Sequence, residues 1–510
     1  MDRRAFIILP LALAAGFLLA ACSMNTSGPA PTPPASIFGP APTRTPLPTP
    51  SPSPQPLPTA TEGVALLKTR PADSSLPQQT LNVELFYHER WMRVQQTVSL
   101  TNTSPDDWSE VVFDVPMHFY PNSFLLDSAR VTEGDDVENG TPSFFGTETI
   151  LRIPLPKPAR PGAQVEVALG YRVIFPAILA TDWPPAGNTG WIDDVIQAGE
   201  WYPSLVPYED GKGWHTWVYH PVGDPTIYPL TDTSLTVKTD DKTVVVASGG
   251  LVSHDELEWH FHVSPARGIA FLASNQYQVS ERDLGGLHLT SVYRAKDANA
   301  GQAALDIAER AIKLYVELYG PAPYPSLTIA ENGFYAGMEY SELVSITDYG
   351  YETYKDQPDS VLHVLVAHET AHQWWYGAVG NDQVNEGWLD ESLAFYSEYL
   401  YIERYYPQQE KWWWDRRVDV YNPYGPVDAT IYSYEKSEDY ISSMYGQAAR
   451  FLRDLRKTMG DADFFAFLKD YYASNTWRFV TGKVFLDTAQ RHSKVDLEPL
   501  IKSYFANPNY

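Results

Sequence analysis

Two histidines four residues apart, His368 and His372, enclose a glutamate, Glu369, and a second glutamate, Glu391, follows nineteen residues after His372. On a helix the i and i+4 side chains project from one face, so two imidazoles can share one ion while the enclosed carboxylate stands beside its open coordination position. This donor set suits one Zn2+ per chain, with His368, His372 and Glu391 as ligands. Three protein ligands leave a fourth position at which a water is acidified toward a neutral pKa, and Glu369 is placed to take its proton. The chemistry is hydrolysis by an activated water.

Such a site needs two helices held against each other. The run from Val361 to Trp375 is apolar, with Pro358 and Asp359 as start signals and Gly377 as a stop, and predicts an interior helix that carries the motif. The spacing of apolar residues from Leu389 to Leu400 predicts a second helix lying on the first, with Glu391 near its start. His363, five residues before His368, points elsewhere on the helix and reads as a packed histidine. The clusters Trp374-Trp375-Tyr376 and Trp412-Trp413-Trp414 read as core rather than as binding platforms.

Three further segments accompany the motif in a fixed order: Ala336-Gly337-Met338-Glu339-Tyr340, Trp388-Leu389-Asp390-Glu391-Ser392-Leu393-Ala394, and Tyr440 to Ala448 with Tyr445 inside it. With the spaced His and Glu residues they resemble the gluzincin zinc aminopeptidases, the aminopeptidase N-like family, whose motifs are G-x-M-E-N, W-L-N-E-G-F-A and Y-x-K-G. This chain departs from them at Ala336, Tyr340, Asp390, Ser392, Leu393, Gln447 and Ala448, while every charged or phenolic catalytic position stays occupied. The resemblance implies a metallopeptidase in which Glu369 is the general base and Tyr445 stabilises the reacting carbonyl oxygen. Tyr440 falls where some relatives carry another tyrosine. Glu339 would pair with the substrate's free amino terminus, and Gly337 and Met338 would line a strand along which the peptide lies. Glu200, in Gly199-Glu200-Trp201-Tyr202-Pro203, occupies the place from which relatives supply a further polar contact to that amine. The chain ends 65 residues after Tyr445, so the resemblance implies a minimal form lacking the C-terminal helical domain.

The fold class expected is α+β. Short alternating runs between about Leu81 and Val292, such as Val94 to Thr101 and Val165 to Val173, predict an antiparallel β domain over 76–294. From Ala298 the period becomes helical, predicting a mainly helical, thermolysin-like zinc peptidase domain over 295–510.

The start of the chain carries a different message. Arg3 and Arg4 precede an apolar run that is shorter than the roughly 20 residues of a spanning helix and ends Leu19-Ala20-Ala21-Cys22. Residues 1–22 therefore read as a signal peptide, with Cys22, the single cysteine, resembling the lipidated residue of a bacterial lipobox. Residues 23–75 read as a Pro/Thr/Ser-rich stalk that buries no core. Localisation would be extracytoplasmic, lipid-anchored to a bacterial membrane. A formal net charge of −26 and a pI near 4.8 argue against a nucleic-acid partner. The expected partners are peptide substrates and, through the lipid, a membrane. A zinc endopeptidase and a catalytically silent peptide-binding surface lipoprotein are the alternatives.

Overall fold

The computed structural model describes residues 66–68, 75–134, 136–145, 149–178, 188–334 and 336–507. The signal peptide, Cys22 and nearly all of the expected stalk lie outside the described residues.

From Gln78 the alternation of apolar and polar residues produces strands. Gln78–Phe86 and Trp91–Thr101 each bury every second residue, the pattern of a sheet with one packed face. Eight strands form a sheet in the order Gly250–His254, Glu258–Ala266, Thr231–Thr239, Gln78–Phe86, Trp91–Thr101, Gln164–Ile174, Phe124–Glu133, Asp136–Asn139. Neighbours run antiparallel with one exception: Gln78–Phe86 and Thr231–Thr239 are parallel. The opening strand of the region thus lies inside the sheet beside a strand from near the region's end. Two four-stranded sheets share a core with it, in which Leu81, Val94, Val111, Phe113, Tyr171, Trp201 and Phe271 are buried. Burying each such aliphatic or aromatic side chain contributes roughly 1.5–3 kcal/mol.

A five-stranded sheet begins the second half, in the order Tyr277–Leu284, Leu287–Arg294, Ser326–Asn332, Leu343–Thr347, Met338–Tyr340. Its first two strands fall in the stretch that the alternation pattern groups with the β domain, yet they pair with the catalytic sheet. Leu287–Arg294 and Ser326–Asn332 are parallel neighbours joined through the helix Ala298–Leu318, as a parallel connection requires. Met338–Tyr340 forms the sheet edge and runs antiparallel to its neighbour.

The motif helix spans Val361–Ala371 and is buried along almost its whole length, as its all-round apolar surface demands. Ser360 caps it by accepting from the backbone N–H of His363. The helix Trp388–Tyr405 packs on it and is buried from Trp388 through Ile402.

The expectation of a minimal form without a C-terminal helical domain is overturned. From Ser437 the chain folds into a short turn of helix, a π-helical stretch Ile441–Gln447, and the helices Ala448–Met459, Asp461–Asn475, Gly482–His492 and Glu498–Tyr504. Counting the residues left after Tyr445 misjudged this segment because its connections are short. Gly460 alone separates two of the helices, so nearly all of the segment is helical. Phe451, Leu452, Leu455, Phe464, Phe467 and Phe485 are fully buried in the core that also holds the motif helix.

Candidate metal centre and active site

The two helices bring their donor atoms together. Nε2 of His368 and Nε2 of His372 are 3.1 Å apart, and Oε2 of Glu391 lies 3.4 Å and 3.6 Å from them. A tetrahedral zinc with bonds of about 2.0–2.1 Å requires its ligand atoms to be roughly 3.3–3.4 Å apart. The triangle therefore fits zinc without rearrangement. All three residues are buried, and Glu391 Oε2 has no hydrogen-bond partner.

The local charge also calls for a cation. Against burial, which favours the neutral ring, the Glu339 and Glu391 carboxylates raise His372 to about 9. Although burial opposes it, the adjoining His368 and His372 rings hold Glu391 far below the usual carboxylate range. A proton on the histidine side thus supplies positive charge that a zinc ion would replace.

Each ligating ring must be held from its other nitrogen. His372 Nδ1 lies 3.1 Å from the carbonyl oxygen of Trp375. His368 Nδ1 is buried without a hydrogen-bond partner, and Glu398 Oε2 stands 3.8 Å away. Glu398 is fully buried and accepts from Trp413 Nε1 at 2.5 Å and from Arg417 at 2.8 Å through each of its oxygens. Sequence reasoning passed over Glu398, although it sits seven residues after Glu391 on one helix and therefore on the same face.

Glu369 is buried beside the triangle, with Oε2 unpaired. Its carboxylate rests directly on Gly337, where a Cβ would overlap it. Burial first, then the charges of Glu391 and Glu398, push its pKa well up.

Glu339 is buried on the sheet-edge strand and offers a carboxylate oxygen within 4.8 Å of ligand atoms on His372 and Asp390. Gln383 reaches both acids, donating to Asp390 at 2.8 Å and to Glu339 at 3.5 Å. Gln373, immediately after the motif, donates to the carbonyl of Tyr340 at 3.1 Å and accepts from the N–H of Glu342 at 3.0 Å. That pair of bonds ties the edge strand to the motif helix. Met338 is half-buried, and its sulfur lies 3.1 Å from Asn188 Nδ2.

Tyr445 approaches from the C-terminal side, its ring 6.0 Å from that of His368 and nearly parallel to it. Tyr440 lies 6.0 Å from Tyr445, ring to ring. The intervening backbone is π-helical, and its i→i+5 bonding brings residues five apart to about one turn. Both phenols therefore face the same way. Burial and then the charge of Glu391 raise Tyr445 well above its ordinary value, so it is a hydrogen-bond donor at neutral pH.

Glu200 does not join the donor groups around the triangle, although its charge acts on Asp224 and on the Tyr340 hydroxyl beside them. It is buried, accepts from Thr226 Oγ1 at 3.3 Å, and is raised by burial to about 7. In its place Asp224, from a loop of the N-terminal region, comes within 4.8 Å of carboxylate oxygens on Glu339 and Glu391. Gly223-Asp224-Pro225 reads in sequence only as a turn. The aromatic clusters pack as expected, with Trp374, Trp375 and Trp413 buried, and His363 bonds Ser360 and Tyr406.

This arrangement has known counterparts. The Peptidase family M1 domain matches residues 303–504. Aminopeptidase N of Lactobacillus helveticus is 25% identical over 312 residues, 54% of this chain and 36% of that protein. A probable aminopeptidase 2 of Sulfurisphaera tokodaii is 22% identical, over 48% of this chain and 33% of that protein. The chain thus matches about a third of the length of these curated relatives. Among solved structures, a mutant M1 zinc metallopeptidase from Deinococcus radiodurans bound to a Tyr-Ser-Ala substrate superposes with a TM-score of 0.62 at 17% identity, covering 86% of this chain and 95% of that one. A two-domain M1 zinc metallopeptidase mutant bound to L-tryptophan gives 0.61, covering 84% and 94%. The fold is shared with these zinc metallopeptidases, and His368, His372 and Glu391 form a donor triangle that suits one zinc ion.

Proposed function

We propose that this chain is a zinc aminopeptidase, one metal per chain, that removes residues from the amino termini of peptides. The observation that carries the reading is the placement of Glu339, a buried carboxylate beside the metal triangle on an edge strand. Zinc and a general base suffice for hydrolysis, but only a fixed anion next to them measures a free amine.

His368, His372 and Glu391 would hold the ion, which when bound supplies a Lewis acid and acidifies a water. Glu369 takes the proton of the attacking water and passes it to the departing amine. Tyr445 donates its phenolic hydrogen to the carbonyl oxygen as that oxygen gains negative charge. Glu339 binds the ammonium and so fixes which carbonyl reaches Glu369. The peptide extends along the open side of Met338–Tyr340, pairing as an added strand.

Cleavage of matched peptides with free and N-acetylated termini tests this. Exclusive cleavage of the free form is expected, and equal cleavage of both would make the protein an endopeptidase. On the sequence evidence of Arg3, Arg4 and Leu19-Ala20-Ala21-Cys22, the reading includes a lipid on Cys22 that holds the enzyme at an extracytoplasmic membrane face. Cys22→Ser should release it into the soluble fraction; an unchanged membrane location would remove this part.

A further inference from the structure

We propose that His215, a residue of the N-terminal region, is a positioning residue for the amine site: an imidazolium that bridges Glu209 to Asp382 across the seam between the two halves and so steadies Gln383 against Glu339. The inference rests on the aminopeptidase reading and adds to it a residue that touches neither substrate nor metal.

The ring is carried by the first half of the chain. It follows the hairpin formed by Tyr208–Glu209 and Gly213–Trp214, and the backbone N–H of His215 donates to the carbonyl of Pro207 at 2.8 Å. Trp214 roots that hairpin, with its Nε1 donating to the carbonyl of Glu110 at 3.1 Å and its ring 5.1 Å from that of Trp108. Nδ1 of His215 lies 2.7 Å from Glu209 Oε1, and the other oxygen of Glu209 takes Lys212 Nζ at 2.7 Å. Nε2 reaches across the seam to Asp382 Oδ2 at 3.2 Å. A neutral imidazole has one N–H, and carboxylates only accept, so the ring that makes both contacts is the doubly protonated one.

On the far side Asp382 governs a short stretch that ends at the site. Its carboxylate accepts from the backbone N–H of Asn385 at 3.0 Å and caps the helix Gln383–Glu386. Gln383, the first residue of that helix, is the side chain that reaches Asp390 at 2.8 Å and Glu339 at 3.5 Å. The path from ring to amine site therefore runs through Asp382 and Gln383.

The bridge can be switched. The bond to Asp382 first, against burial, and then the charge of Asp382 and the bond to Glu209 raise His215 above its ordinary value. The titratable groups that face the ring are Glu209 from its own hairpin and Asp382 from the second half. Lys212 stands behind Glu209, and Tyr432 and Glu386 feel the charge of Asp382. The bridge is thus complete below about pH 6.5 and lost as pH rises through the raised value.

The experiment compares the wild-type zinc enzyme with His215→Gln, His215→Lys and Glu209→Gln on free and N-acetylated peptides from about pH 6 to about pH 9.5, with zinc content measured for each. At about pH 6, His215→Gln should raise KM for free peptides about 3- to 10-fold, with kcat and zinc nearly unchanged. As pH rises, the ratio of its KM to that of wild type should fall toward one, because wild type loses the same charge. Titration of the substrate's amine is common to both and cancels. His215→Lys should recover part of the loss and keep it at the alkaline end, since a lysine holds its proton there. Glu209→Gln removes one partner from a solvent-facing hairpin, so its alkaline rise in KM should begin at lower pH than in wild type; this comparison stands even if the His215 variants fail to fold. A ratio of one at about pH 6 overturns the proposal, as does a raised ratio that stays constant across the range, the mark of a merely structural contact. Coincident profiles for Glu209→Gln and wild type overturn it too, and in each of these cases the aminopeptidase reading stands. If wild type cleaves acetylated peptides as well as free ones, that reading falls and the proposal with it.

Discussion

Gly337 supports Glu369 by having no side chain. The carboxylate of the proposed general base occupies the volume that a Cβ on Gly337 would fill. The glycine is therefore the seat of the proposed general base, one residue ahead of the edge strand Met338–Tyr340. Gly337→Ala must push Glu369 aside, and misplacing a reacting group by about 1 Å costs on the order of 100-fold in rate. We expect kcat to fall by about that factor with zinc content unchanged, measured by metal analysis and steady-state kinetics on one preparation. Full activity in Gly337→Ala would show that Glu369 has room to relocate.

Tyr445→Phe removes the phenolic hydroxyl proposed to donate to the carbonyl oxygen. A drop in kcat of about 100- to 1000-fold, with KM nearly constant, is expected. Tyr440→Phe should cost less, because it is the Tyr445 ring that stacks beside His368, with Tyr440 packed on Tyr445. Equal losses from the two variants would reverse the assignment of roles.

Glu398→Gln keeps the shape behind His368 and removes the charge. Zinc affinity, measured by competition with a chromophoric chelator, should weaken about 10- to 100-fold, the usual effect of losing an outer carboxylate that orients a ligating histidine. An unaltered dissociation constant would mean that Glu398 serves Arg417 and Trp413 alone.

His363 makes stability depend on acid. Burial first, then the charge of Arg310, lowers it to about 4, below the ordinary value of about 6.5. Between those values the unfolded chain binds the proton and the folded chain does not. The stabilisation is therefore complete above about pH 6.5 and lost as pH falls toward 4, amounting to about 3 kcal/mol. Urea midpoints should decline over that window in wild type, and the decline should be shallower in His363→Gln. Parallel profiles would place the acid sensitivity elsewhere.

The metal triangle was readable because its geometry is local. Four residues along a helix fix the relation of His368 to His372, and apolar spacing was enough to require a second helix bearing Glu391. Asp224 was not readable, because its approach to Glu339 depends on how two distant halves of the chain dock, and its turn sequence carries no chemical signature. The π-helical register that aligns Tyr440 with Tyr445 was hidden for another reason: periodicity analysis assumes 3.6 residues per turn. The C-terminal helices were misjudged by residue count, since it was connection length that decided how much helix fits after Tyr445.

The parallel pairing of Gln78–Phe86 with Thr231–Thr239 has a mechanical side. Gln78–Phe86 is bonded along both edges, to Thr231–Thr239 on one side and Trp91–Thr101 on the other. Ahead of it, Leu66–Lys68 are clipped to Ala322 of the second half by two backbone hydrogen bonds. Tension drawn through the leading chain meets that short clip first. Once it yields, the pull loads the two ladders of Gln78–Phe86 in shear, where many hydrogen bonds must yield together, whereas an edge strand pulled from its end would peel one bond at a time.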